Sequence, residues 1–111
     1  MNVMTDDELN GLLLAAQPYS VVIMKSGPNY TDKKALTLSW EHNRLNFALQ
    51  DCGVVTTYLR VMDDSDVYGV AVFDATVGDT ITLMEGDPAV ATGVFAYEVH
   101  PCRGFLGNSR R

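Results

Sequence analysis

The longest helical pattern in the chain is ALTLSWEHNRLNFALQDC, which runs from Ala35 to Cys52. Its apolar positions recur at alternating spacings of three and four residues, as expected for a helix that packs one face on a core. The predicted buried stripe consists of Ala35, Leu38, His42, Leu45, Leu49 and Cys52. A buried imidazole without a hydrogen-bond partner costs about 1–3 kcal/mol, so the sequence predicts a partner for His42 elsewhere in the fold.

The best candidate partner for His42 is Asp87, which lies in the segment Gly86-Asp87-Pro88. An aspartate beside a histidine fixes the tautomer of the imidazole and leaves its other nitrogen free to take or give a proton, without a metal. A plainer interpretation stays open, in which His42 is a satisfied core histidine. In that interpretation Asp87 only caps a helical turn that begins at Pro88.

Composition and charge limit the classes of protein to consider. The chain has 111 residues, the size of one domain, and a net charge of −6 from 14 acidic and 8 basic residues, which argues against nucleic-acid binding. No apolar run approaches the ~20 residues of a membrane span, and the acidic N-terminus lacks the basic and apolar regions of a signal peptide. We therefore expect a cytoplasmic protein, with Cys52 and Cys102 as free thiols and no metal site.

The remaining patterns predict a helix followed by the order β-α-β-β-α-β. Thr5 and Glu8 form a capping box for the first helix, which we expect Pro18 to end. Strands are predicted over 19–25, 54–62, 67–73 and 94–100, and helices over 35–51 and 77–85. This order is the ferredoxin-like α+β pattern, an antiparallel sheet with helices on one face. It divides the chain into an N-terminal helical extension (1–18), the ferredoxin-like domain (19–104) and a C-terminal tail (105–111).

The predicted strands are apolar on both faces. In the fourth strand, the apolar residues on the two faces are Val94 and Ala96 on one, and Phe95, Tyr97 and Val99 on the other. A small domain with helices on only one face of such a sheet favours dimerisation through the other face.

Three segments have an order and spacing that are specific in combination. They are SGPNY at 26–30, EHNRL at 41–45 in the helix that ends in Asp51-Cys52-Gly53, and DPAVATG at 87–93 before EVHP at 98–101. Together they resemble the YCII-related family of the dimeric α+β barrel superfamily, over about residues 19–104. The resemblance implies a subunit that dimerises through its sheet into a barrel, with an active site on a histidine–aspartate pair. His42 and Asp87 occupy the matching positions.

The same resemblance implies a lyase or isomerase that acts on a small cyclic or aromatic metabolite without a bound cofactor. One branch of the family removes chloride from a chlorinated hydroxyquinol. The chain departs from the family at Thr57-Tyr58-Leu59, where members commonly have Gly-Pro, so Tyr58 changes or fills the rim of the pocket. The candidate substrate-binding residues are Tyr58, Arg60, which suits an anionic group, and Trp40.

Two other functions stay open at this level. One is a module of the same fold that binds a small ligand without turnover, and the other is a dimerising domain in which His42 is packed in the core. An open pocket that reaches His42, with His42 and Asp87 in contact, favours the enzyme. An open pocket where the two side chains do not meet favours the binding module, and a sealed site favours the dimerising domain.

Overall fold

The computed structural model of this protein describes residues 1–105 and shows four helices and one four-stranded sheet. The elements in chain order are α1 (Asp6–Leu14), β1 (Gln17–Ser26), α2 (Ala35–Asp51), β2 (Val55–Arg60), β3 (Val67–Phe73), α3 (Val77–Glu85), α4 (Pro88–Ala91) and β4 (Phe95–Gly104). The predicted order of elements and the ferredoxin-like α+β class are therefore confirmed. Of the predicted tail, 105–111, only Phe105 lies within the described residues.

The sheet is antiparallel throughout, with the strand order β2-β3-β1-β4. Its inner face is buried and includes Val22, Met24, Ala71 and Phe73. Helices α2, α3 and α4 add Ala35, Met84 and Ala89 to the same core cluster. The inner face of α2 lies against β2, so a side chain on that face can reach residues of the sheet.

Helix α1 begins as predicted but ends earlier. The Thr5–Glu8 capping box is present in both directions, and the last helical residue is Leu14. The expectation that Pro18 ends this helix was wrong, because Pro18 is the second residue of β1. Pairing of β1 with β3 starts only at Ser20, so the missing N–H of Pro18 faces a side without a partner strand and costs no ladder hydrogen bond.

Two other strand boundaries differ from the predicted ones. β2 ends at Arg60, two residues before the predicted end at Met62, which is fully exposed. β4 continues past Pro101 to Gly104 and pairs with β1 along its whole length. Proline is tolerated there because β4 is an edge strand and one side of its backbone has no partner to bond.

The outer face of the sheet is apolar in its two central strands. Val21 and Ile23 of β1 and Val70 and Val72 of β3 alternate with the buried residues and remain partly exposed. The expectation of a two-sided apolar β4 was wrong, because its outer-face residues are Ala96, Glu98 and His100, all exposed. An edge strand with polar outer residues resists non-specific pairing with other chains.

Candidate active site

His42 lies on the buried face of α2 with no exposed surface. Its ring packs against Phe95, with ring centroids 4.7 Å apart, and contacts the edges of Tyr58 and Tyr68 at 6.2 Å and 6.0 Å. The prediction that His42 is buried on the inner stripe is confirmed. The prediction that Cys52 is the last buried residue of that stripe was wrong, because Cys52 lies at the exposed C-terminus of the helix.

Asp87 is the residue that pairs with His42, and it performs both roles considered above. One carboxylate oxygen, Oδ1, accepts the backbone N–H of Ala89 at 2.9 Å and caps α4, and Oδ2 contacts Nδ1 of His42. Asp87 is 1% exposed, so the pair is shielded from water. Because an ionised carboxylate only accepts hydrogen bonds, His42 donates from Nδ1 and presents the lone pair of Nε2 as an acceptor.

Tyr58 is the hydrogen-bond partner of the second ring nitrogen of His42, Nε2. Its hydroxyl is 3.1 Å from Nε2 of His42 and 3.3 Å from Oδ1 of Asn43. Burial raises the pKa of Tyr58 well above its ordinary value, and the neighbouring Tyr68 raises it further, while Arg60 opposes the shift. The hydroxyl therefore stays protonated and donates its hydrogen to one of these two acceptors.

Asn46 is a site residue that the sequence pattern missed. It lies one turn after His42 on α2, is 2% exposed, and donates from its amide nitrogen to the backbone carbonyl of His42 at 2.9 Å. The same amide lies against the imidazole, 3.2 Å from Nδ1. The available signal was its spacing of four residues from His42, which places both side chains on one face of the helix.

A cavity of about 210 Å³ opens beside Tyr58. Its lining consists of Asn43, Phe47, Tyr58, Arg60 and Tyr68. The guanidinium carbon of Arg60 lies 3.8 Å from the centre of the Tyr68 ring, a cation–π contact. Within residues 1–105, Arg60 forms no ion pair with a carboxylate, so this cation is available to an anionic ligand.

Trp40 stands apart from Tyr58 and Arg60. Its side chain is 66% exposed and lines a neighbouring groove of about 250 Å³ together with Asn43, Arg44 and Phe47. The two cavities share Asn43 and Phe47, so the groove at Trp40 adjoins the cavity beside Tyr58. The structure therefore brings four of the five sequence-predicted residues together, namely His42, Asp87, Tyr58 and Arg60, and leaves Trp40 at the margin.

A larger depression, of about 350 Å³, lies at the other end of the sheet and includes Tyr19, Asp74 and Cys102. None of its lining side chains is hydrogen-bonded to a titratable side chain within residues 1–105, whereas Tyr58 contacts the His42–Asp87 pair, so the chemistry favours the smaller cavity beside Tyr58. No group of three or more His, Cys, Asp or Glu residues within 1–105 is arranged to hold a metal ion. Of the helices in this part of the chain, none has the length and apolar character to cross a membrane.

Comparison with known proteins supports the fold. No family model matches the chain, and no curated protein sequence matches it. Among solved structures, it is similar to 5-chloro-2-hydroxyhydroquinone dehydrochlorinase (TftG) from Burkholderia phenoliruptrix AC1100, in complex with 2,5-dihydroxybenzoquinone. The two share 18% sequence identity with a TM-score of 0.55, over 74% of this chain and 90% of that chain. At this identity the likeness shows a common fold.

Proposed function

We propose that this protein is a small-metabolite enzyme of lyase or isomerase type, with His42 and Asp87 as its general acid–base pair. The observation that carries the proposal is the buried hydrogen bond between the two side chains. Burying a histidine and a carboxylate is costly unless they satisfy each other, and here the pair lies next to a cavity. Asp87 orients the imidazole and stabilises the positive charge that forms when Nε2 accepts a proton.

The lining of the cavity supports a planar, anionic substrate. Phe47, Tyr58 and Tyr68 present aromatic rings, and Arg60 adds a positive charge without a carboxylate partner in the described chain. Hydroxylated quinones and chlorinated hydroxyquinols have this character, since their rings stack on aromatic side chains and their ionised oxygens bind arginine. The structural neighbour is named as a dehydrochlorinase of a chlorinated hydroxyhydroquinone, and its structure is a complex with 2,5-dihydroxybenzoquinone.

A homodimer formed through the outer face of the sheet completes the proposal. Val21, Ile23, Val70 and Val72 form an apolar surface on the central strands, and a second copy would cover it. Ile23→Glu would place a charge in that surface, so we expect the variant to elute as a monomer where the native protein elutes as a dimer. Lys33→Glu, at an exposed position in the loop before α2, introduces the same residue away from the sheet and is the control.

The experiment for the enzyme is release of chloride from 5-chloro-2-hydroxyhydroquinone. Because the pair acts as one acid–base unit, His42→Asn and Asp87→Asn should each reduce turnover by about 10²–10⁴-fold. His100→Asn removes the exposed histidine of β4 and should leave turnover unchanged. Native rates in the His42 variant would contradict the proposal.

The alternative is a module of the same fold without turnover, which binds a small ligand or serves only to dimerise, and one observation favours it. His42 has no exposed surface, and both of its ring nitrogens have partners. If the native protein binds 2,5-dihydroxybenzoquinone but converts no chlorinated substrate, the module is the better description.

A further inference from the structure

The structure places a hydroxyl between the buried histidine and the cavity. In this arrangement no atom of His42 is exposed, so a ligand in the cavity cannot touch it. Of the five residues that line the cavity, Tyr58 is the one whose side chain forms a hydrogen bond with His42. Any proton that passes between a ligand and the His42–Asp87 pair must therefore pass through the Tyr58 hydroxyl or wait for this side chain to move.

We propose that Tyr58 is a catalytic residue that carries the proton between the substrate and Nε2 of His42, with His42 and Asp87 as positioning residues behind it. The inference rests on the proposed function and extends it, since it names the group that touches the substrate. The substrate class it implies is a small planar phenol or hydroxyquinone whose ionised oxygen binds Arg60.

The transfer is balanced by two coupled proton movements. In the proposed resting state, Nδ1–H of His42 donates to Asp87, and the Tyr58 hydroxyl, which lies within reach of both Nε2 and Oδ1 of Asn43, donates to Nε2. The acidic proton of the substrate moves to the oxygen of Tyr58 while the proton of Tyr58 moves to Nε2. Tyr58 ends neutral, His42 ends as an imidazolium beside the Asp87 carboxylate, and the substrate anion remains beside Arg60. The reverse movement returns the proton to carbon or to a leaving group, and no co-reactant is needed.

Asn43 gives the hydroxyl a second resting position. Once His42 is protonated, its Nε2–H donates to the oxygen of Tyr58, and the hydroxyl hydrogen must then point elsewhere. Oδ1 of Asn43, 3.3 Å from that oxygen, accepts it. The chain of contacts therefore accommodates both protonation states of His42 without leaving a buried polar group unpaired.

The test measures the protonation state of His42 when a ligand binds, rather than the formation of a product. The native protein and the Tyr58→Phe variant, labelled with ¹⁵N at histidine, are titrated with 4-nitrophenol, a planar phenol that is still partly protonated near neutral pH, at a pH where the free protein shows a neutral His42. In the native protein, binding of the protonated probe should convert His42 to the doubly protonated form and release no proton to the buffer. In Tyr58→Phe, His42 should stay neutral, and any proton lost by the probe should appear in the buffer, which an indicator dye reports.

Controls separate the relay from other effects of the substitution. Tyr97→Phe removes a tyrosine hydroxyl that bonds Glu85 outside this cavity and should behave like the native protein. Replacement of Tyr58 by 3-fluorotyrosine keeps the hydroxyl, so it should retain transfer to His42. It also provides a second test if Tyr58→Phe folds poorly.

The outcomes for the relay and for the enzyme are distinct. The relay is overturned if His42 becomes protonated in Tyr58→Phe as in the native protein, or if the native His42 takes no proton from the probe. If transfer to His42 holds and no chloride is released from the chlorinated substrate, the relay stands and the lyase proposal fails. If chloride release is undiminished in Tyr58→Phe, the enzyme stands and the relay fails.

Discussion

Substitution of Asp87 offers the sharpest test of the buried pair, because two replacements remove different parts of its role. Asp87→Ala removes the cap of α4 and the partner of Nδ1 together. A lost cap costs about 1 kcal/mol and an unpaired buried donor about 1–3 kcal/mol, so we expect the free energy of unfolding to fall by about 2–4 kcal/mol.

Asp87→Asn keeps an oxygen for the cap and offers an amide hydrogen to Nδ1. His42 can then accept at Nδ1 and carry its hydrogen at Nε2, so we expect a loss of only about 1–2 kcal/mol and an exchanged tautomer. Urea denaturation measures the free energies, and histidine ¹⁵N spectra identify the tautomer. All variants are compared at one protein concentration, because dimerisation would make the apparent stability depend on it.

Thr76 supplies the matched control. Its side chain caps α3 by accepting the backbone N–H of Asp79 at 3.1 Å, and it has no partner resembling His42. Thr76→Ala should therefore cost only the cap, about 1 kcal/mol. If Asp87→Ala costs no more than Thr76→Ala, the contact with His42 contributes nothing to stability and the reasoning is refuted.

Three further perturbations test the fold around the site. Removal of residues 1–15 should change the free energy of unfolding by less than about 0.5 kcal/mol, because α1 contains no buried residue, and a larger loss in urea denaturation would show that it packs on the domain. Gly27→Ala should cost about 1–3 kcal/mol, because its Cβ would overlap a neighbouring backbone carbonyl. Its counterpart Gly78→Ala meets open space on α3 and should gain about 0.5–1 kcal/mol by the same assay. Burial and the hydrogen bond to Glu85 raise the pKa of Tyr97 from 10 to about 12, so its stabilising effect is complete below pH 10 and disappears as the pH rises towards 12. Tyr97→Phe should flatten that part of the pH–stability curve, and an unchanged slope would contradict the assignment.

The sequence predicted most of the fold because its local signals agree with one another. α3 is the clearest case, since its β-branched run also suits a strand, yet the helix forms at the predicted bounds. The Thr76 cap fixes its start, and Thr80 and Met84 are buried one turn apart on a single face. Caps and helical spacing therefore decided the structure of α3 against the intrinsic preference of its central residues.

The composition of the buried face of α2 was less predictable. Apolar spacing placed Leu45 and Cys52 on the inner stripe, whereas Asn46 is buried, Leu45 is only half-buried and Cys52 is exposed. A prediction based on the spacing of apolar residues places a polar residue such as Asn46 on the surface. It cannot register that Asn46 donates from its amide nitrogen to the backbone carbonyl of His42, one turn earlier on the helix, and is thereby satisfied in the interior.

The contact between Tyr58 and His42 depends on how α2 packs against β2, the next element in the chain. The alternation of β2 places Tyr58 and Arg60 on one face of the strand, but it does not say whether α2 lies over that face. The antiparallel pairing of Tyr58 with Ala71, an inner-face residue, settles the question. The Tyr58 hydroxyl can thus reach the histidine, which neither segment indicates alone.

The two interpretations of Asp87 were posed as alternatives, and the structure shows why they are not. A carboxylate has two oxygens, and a cap uses only one. α4 is only four residues long, and Pro88 at its first position fixes the backbone direction there, so the cap that starts this turn also sets where Oδ2 points. Oδ2 points at Nδ1 of His42. The helical turn therefore orients the carboxylate towards His42, and a substitution that disturbs the cap should disturb the imidazole as well.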